Sequence, residues 1–179
     1  LVWMDDDLRV VPELAESLEQ PDRLTYVARL RRGVTFHDGR ELTSEDVVYT
    51  FRSFLDPSFR GRSGAYRLLA AVNPIDRYTL EFRLKEPFAS FPINLVMGIV
   101  QAGSGGANAQ QPIGTGPYRL EQFVGGGGMG AVFRAHDTTL DRIVAVKVLS
   151  RAQSADDEML RRFRNEAQSA ARLDHENIG

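Results

Sequence analysis

Hydrophobic and polar residues alternate at two different periods along this chain, and each change of period marks an element. Residues 24–36, LTYVARLRRGVTF, alternate and then meet Gly33, which predicts a β-hairpin. FHDGREL follows as a polar turn around Asp38-Gly39. In LTSEDVVYTFRSFLD the spacing becomes helical, with Val47, Phe51, Phe54 and Leu55 forming one buried stripe. Thr43 followed three residues later by Asp46 is a capping-box start, and Pro57 is the stop. YTLEFRLKEP returns to the two-residue period. Leu80, Phe82 and Leu84 oppose Glu81, Arg83 and Lys85 in a half-buried strand stopped by Pro87.

The last third has its own pattern. After the glycine run VGGGGMGAV comes AVFRAHD, a β-branched and aromatic segment that reads as a strand. A dinucleotide fold would place a helix there, so the glycines form a β-turn-β loop instead. RIVAVKVL is apolar on both faces, which predicts a buried strand carrying Lys147 near its centre. DDEMLRRFRNEAQSAARL predicts an amphipathic helix with Met159, Phe163, Ala167 and Ala170 on one face and Glu166 among them. The whole is an α+β pattern.

Bulk properties narrow the function classes. The chain has 179 residues, enough for one ordinary domain or two small ones. A net charge of −2 offers no basic surface for nucleic acid or an anionic membrane. Absence of cysteine excludes disulfides, thiolate metal sites and thiol nucleophiles. His37, His136 and His175 are far apart and form no local ligand pair, so no metal site is expected. FASFPINLVMGIV is too short to span a bilayer and contains Pro92. The opening LVWMDDDL has no initiating Met and no basic start before an apolar core. It reads as mid-domain sequence without a signal peptide.

Chemistry concentrates late in the chain. Gly125, Gly127 and Gly130 stand in the G-x-G-x-x-G arrangement, and glycines let a backbone approach phosphates closely. The same run also fits a flexible linker. A lysine inside an apolar strand needs an anion, and a carboxylate on a buried helix face needs a cation, so Lys147 and Glu166 are expected to pair. Earlier in the chain, His37 and Asp38 read as a turn, and Arg60 and Arg62 as solvated loop charges.

Two resemblances follow from these words. PELAESLE, LTYVARLRRGVTFHDGRELTSEDVVYTF, YTLEFRLKEPFASF and PIGTGPYRLEQF occur in the order seen in the solute-binding proteins of bacterial peptide and nickel ABC importers, family 5. The likeness runs over residues 1–123. It implies an extracytoplasmic, two-lobed periplasmic-binding-protein-like α/β fold that encloses a peptide or small solute between lobes. The chain matches part of the first lobe, residues 1–117; the export signal, opening strands and second lobe are read as absent. Ligand pockets of this kind bury most of a solute at a domain interface, so one lobe supplies one wall. No ligand residues are carried over from that family.

From Tyr118 to the end, GPYRLEQFVGGGGMGAVFRAHDTTLDRIVAVKVL and RRFRNEAQSAARLDHENI are similar to bacterial Ser/Thr protein kinases of the eukaryotic-like type. Residues 118–179 would then be a truncated N-lobe of three antiparallel strands and one helix. By this resemblance Val124, Gly125, Gly126, Gly127, Gly128, Met129, Gly130, Ala131 and Val132 roof an ATP. Val132 and Ala145 touch adenine, Lys147 holds the α/β-phosphates, and Glu166 braces Lys147. Mg²⁺ would come only with the nucleotide. Glu176 stands where that family usually has proline. H-R-D, D-F-G and A-P-E do not occur, so no catalytic residue is assigned and phosphoryl transfer is not expected. The compartments of the two parents disagree, one outside the membrane and one cytoplasmic. The chain reads as a chimera of two fragments, a residual nucleotide-binding module fused to a solute-binding segment, with no complete active site. The alternatives are a solute- or peptide-binding fragment of an ABC importer with the kinase segment as a non-functional tail, and a Ser/Thr protein kinase acting only with missing parts in trans.

Overall fold

The computed structural model describes residues 1–5, 7–56, 63–105, 112–127, 130–149 and 157–171. The chain divides into two compact units, Leu1–Gly116 and Pro117–Gly179. Pro57, Arg60, Arg62, Gly128, Met129, His175 and Glu176 lie outside the described residues.

In the first unit, β1 (Val2–Met4) and β2 (Val10–Pro12) form a short antiparallel pair. A second, four-stranded sheet is built from β3 (Ala15–Asp22), β4 (Thr25–Leu30), β5 (Leu69–Asp76) and β6 (Thr79–Leu84), in the order β3-β4-β6-β5 and antiparallel throughout. Alternation sets its inner face. Tyr26 pairs with Phe82 and Ala28 with Leu80, all buried, while Arg29 and Arg83 point to solvent. Helix α1 (Ser44–Leu55) packs on β5 and β6, and Phe51 meets Phe82 edge-on at 5.0 Å. Val47 and Phe51 are fully buried, and Phe54 and Leu55 pack partly buried against the same core. The capping box forms as the pattern requires, with the Asp46 carboxylate on the Thr43 N–H at 2.9 Å.

One expected element is different. Gly33 does not turn a hairpin; it has φ +74 in a turn after β4. The hairpin partner of β4 is β3, which precedes it, across a turn at Arg23-Leu24. Two register shifts break the alternation of AESLEQPD, so its strand period is not visible in the sequence.

The second unit carries β7 (Tyr118–Gly127), β8 (Gly130–Asp137) and β9 (Arg142–Val148) as an antiparallel sheet in sequence order, with helix α2 at Asp157–Ala171. The expectation that β9 is buried on both faces fails, because no residue of β9 reaches full burial. Among the described residues of this unit, three strands and one helix leave too little material to cover both sides of the sheet. On α2, Phe163 is half-buried, whereas Ala167 and Glu166 are exposed. The side chains of Met159 and Ala170 lie outside the described part.

Among the described residues no helix is long and apolar enough to cross a membrane, and no group of three or more His, Asp or Glu side chains is placed to hold a metal ion.

Candidate functional site

A groove of about 360 Å³ opens on the first unit beside the β1–β2 pair. Its apolar floor comes from Val2, Leu14, Met97 and Ile99, and its rim carries Trp3, which is 57% exposed, and the exposed Glu13. Gly98, Gly114 and Thr115 complete the wall.

Helix α1 anchors the stretch of chain that directly follows the groove residues 96–99. The Thr50 hydroxyl accepts the Val100 N–H at 3.0 Å, and the buried Asp46 carboxylate accepts the Ala102 N–H at 2.8 Å. Asp46 also takes the Arg40 guanidinium, so one carboxylate joins the helix start, the 36–40 turn and the 98–102 segment. Gln101 donates to Asp38 at 2.7 Å, and this bond chiefly holds the Asp38 carboxyl below its usual range. The Gly114 side of the groove is tied to His37. Its backbone N–H donates to the Gly114 carbonyl at 2.9 Å, and its ring meets the Gly114 N–H and the Gly116 carbonyl at 3.2 and 2.7 Å. His37 and Asp38 thus form a turn, as expected, with tethering bonds that the sequence did not disclose. None of the groove residues was identifiable from sequence, because they come from four separate short segments, 1–3, 13–14, 96–99 and 114–115, none of which carries a motif.

The residues singled out in the last third lie together in the second unit. Gly125 pairs with Val132, Gly126 with Ala131, and Gly127 with Gly130 at the end of the β7–β8 hairpin. Across the next ladder Val132 pairs with Lys147 and Arg134 with Ala145. Alternation puts Val132, Ala145 and Lys147 on one face of the sheet. Beside them Val124, Val132, Ile143 and Ala145 line a groove of about 680 Å³. The Lys147 ammonium donates to the Glu166 carboxylate at 2.8 Å and lies 5.9 Å from the centre of the Phe163 ring. This pair is partly wet, with the two side chains 27% and 54% exposed. The burial inferred for both charges from the sequence is therefore not realised, for the same want of covering material that exposes β9.

Comparison with known proteins finds the following likenesses. The family described as bacterial extracellular solute-binding proteins, family 5 Middle, matches residues 9–148. The oligopeptide-binding protein AppA of Bacillus subtilis is 32% identical over 138 residues, covering 69% of this chain and 25% of that protein. The structure of AppA in complex with a nonapeptide is similar with a TM-score of 0.68 and 29% identity, over 96% of this chain and 36% of that one. The serine/threonine-protein kinase PrkC of Bacillus subtilis is 52% identical over 64 residues, covering 36% of this chain and 10% of that protein. The chain thus spans only a small part of each relative's length. Its sheet-rich α+β architecture matches part of a periplasmic-binding-protein fold. On the match over residues 9–148, the chain belongs to the family 5 bacterial extracellular solute-binding proteins.

Proposed function

We propose that the Leu1–Gly116 unit supplies one wall of a peptide or small-solute site of an ABC importer's binding protein. The groove beside β1 is the observation that carries this reading. Its apolar floor suits a ligand side chain, Trp3 offers a rigid face at the rim, and the Glu13 carboxylate suits a ligand ammonium group. AppA, the relative described above, is by name an oligopeptide-binding protein, which favours a peptide. Trp3 is the sole tryptophan of the chain, so its fluorescence reports on this groove directly. Titration with trialanine is expected to give a saturable change that weakens in Glu13→Gln. No response at several millimolar trialanine would overturn the reading.

A second reading concerns the Pro117–Gly179 unit and rests on the contact between Lys147 and Glu166. We infer a residual nucleotide-binding segment of kinase type fused to the solute-binding part. Val124 to Gly127 and Gly130 to Val132 roof the ATP, with Val132 and Ala145 against adenine, Lys147 on the phosphates and Glu166 steadying Lys147. The likeness to PrkC supports this assignment. Mg²⁺ enters only as the nucleotide's own counter-ion, and no phosphoryl transfer is assigned.

A further inference from the structure

His37 binds the 114–116 segment with both nitrogens of its ring. The Gly114 N–H can only donate, so the Nδ1 atom 3.2 Å away must present a lone pair. The Gly116 carbonyl can only accept, so the Nε2 atom 2.7 Å away must carry the hydrogen. Both bonds exist together only in the neutral Nε2–H tautomer. A second proton, on Nδ1, would turn an acceptor into a donor facing the donor of Gly114. One of the two ring contacts then becomes repulsive.

The charged surroundings do not compensate. Asp38 adjoins His37, and its carboxylate is occupied by the Gln101 amide and the Arg40 N–H. Its carboxyl lies below the usual range, chiefly through Gln101, so its charge stays constant while an imidazole titrates. Arg40 is turned onto Asp46. Segments 98–102 and 112–116, GIVQA and PIGTG, bring no charged side chain. The charged groups that line the groove are Glu13 and the Leu1 ammonium, which donates to the Met97 carbonyl and whose pKa is held down to about 6 by burial. Gly114 and Thr115 are part of the groove wall, so whatever loosens them reshapes the groove.

We propose that His37 is a positioning residue that holds the Gly114–Thr115 wall in place only while its imidazole is neutral, and lets it go on acidification. The consequence for solute rests on the solute-site reading above; the clasp does not.

The test uses the full chain without ligand, labelled with ¹⁵N, followed by hydrogen exchange of the Gly114 amide from about pH 8 to about pH 5, across the range where imidazoles titrate. After correction for intrinsic exchange, protection at Gly114 is expected to fall about five- to tenfold, the worth of one hydrogen bond. His37→Asn offers an amide oxygen to Gly114 without titrating and is expected to abolish the pH step. Unchanged protection in the unsubstituted chain, or a step that survives in His37→Asn, overturns the proposal. Should that variant not fold, the ring ¹⁵N shifts of His37 in the unsubstituted chain decide. A neutral Nε2–H signature at about pH 8 is required, and the other tautomer or the charged ring would overturn the clasp. Trialanine titrations at the two pH values separate the two claims. The Leu1 ammonium of the same groove, its pKa held down to about 6 by burial, titrates in both chains. A weakening at the acidic end that is present in the unsubstituted chain and lost in His37→Asn therefore supports the positioning role. Binding to an opened clasp that is independent of pH, or a weakening that survives in His37→Asn, overturns it. A clasp that opens in a chain that never binds trialanine removes the solute reading and leaves the clasp standing.

Discussion

The fully buried carboxylate of Asp46 accepts the backbone N–H of Ala102 at 2.8 Å, joining the first turn of α1 to a segment 56 residues further on. The same side chain caps Thr43 and receives Arg40, so its removal strands several donors at once. Asp46→Ala is expected to cost about 3 kcal/mol, since a lost cap adds to an unpaired buried N–H. Asp46→Asn keeps the acceptor and is expected to cost less than half as much. Urea unfolding followed by Trp3 fluorescence measures both, and equal midpoints for Ala and unsubstituted chain would contradict the role.

Gly130 and Gly125 belong to one glycine run but have different physical reasons to be glycine. Gly130 has φ +113, and a Cβ there would fall on the Val148 carbonyl oxygen. Gly125 has open space within 4 Å and no positive φ. Gly130→Ala is therefore expected to destabilise the β8–β9 end of the sheet by about 2–3 kcal/mol. Gly125→Ala is expected to leave the sheet intact. Amide chemical-shift dispersion of residues 130–148 distinguishes them, and equal tolerance of both substitutions would refute the steric account.

Glu41 accepts hydrogen bonds from the Gly33 N–H, Arg77 and Tyr78, and these hold its carboxyl below the usual range, the Gly33 bond most. A folded-state value below the unfolded one means that its stabilisation is complete above the unfolded carboxylate range, about pH 4, and is lost as pH falls further. The urea midpoint of Glu41→Gln should therefore lie below that of the unsubstituted chain near neutrality and converge with it under acid. A gap that stays constant with pH would contradict the linkage. This window lies below the imidazole range, so it does not overlap the release expected at His37.

How much of this was legible in the sequence depends on how local each signal is. Helix α1 was, because Thr43, Asp46 and the Val47–Phe51 stripe lie within a few turns of one another. Strand β3 was not, because bulges between Ala15 and Ser17 and between Glu19 and Asp22 interrupt its alternation. Strand β5 was hidden in the same way, by Pro74 and its own register shifts. Lys147 and Glu166 stood out as charges misplaced in apolar patterns, and their contact follows from that. Their exposure does not, since burial depends on how many layers cover the sheet. The groove at Trp3, Gly98 and Gly114 had no sequence signature, because only folding joins its parts.

Lys147 is expected to matter for nucleotide binding far more than for stability. The salt bridge is partly wet, and exposed pairs contribute about 1 kcal/mol or less, so Lys147→Ala should leave the unfolding midpoint of the second unit nearly unchanged. Binding is a different matter. In the proposed roof, Lys147 is the cation for the phosphates, while Val132 and Ala145 give adenine a contact on one side only. With adenine covered on one face and no protein ligand for Mg²⁺ assigned, affinity should be weak, near millimolar or about −4 kcal/mol. ATP titration followed by NMR is expected to shift the amides of residues 124–127, 130–132 and Lys147, and the shifts should vanish in Lys147→Ala. Incubation with labelled ATP, Mg²⁺ and an acceptor protein is expected to give no incorporation above that variant, because no base for a substrate hydroxyl has been identified. Incorporation would show that the chain transfers phosphate after all. Silence of those amides at several millimolar ATP would leave the glycine run as a turn between β7 and β8 without a ligand.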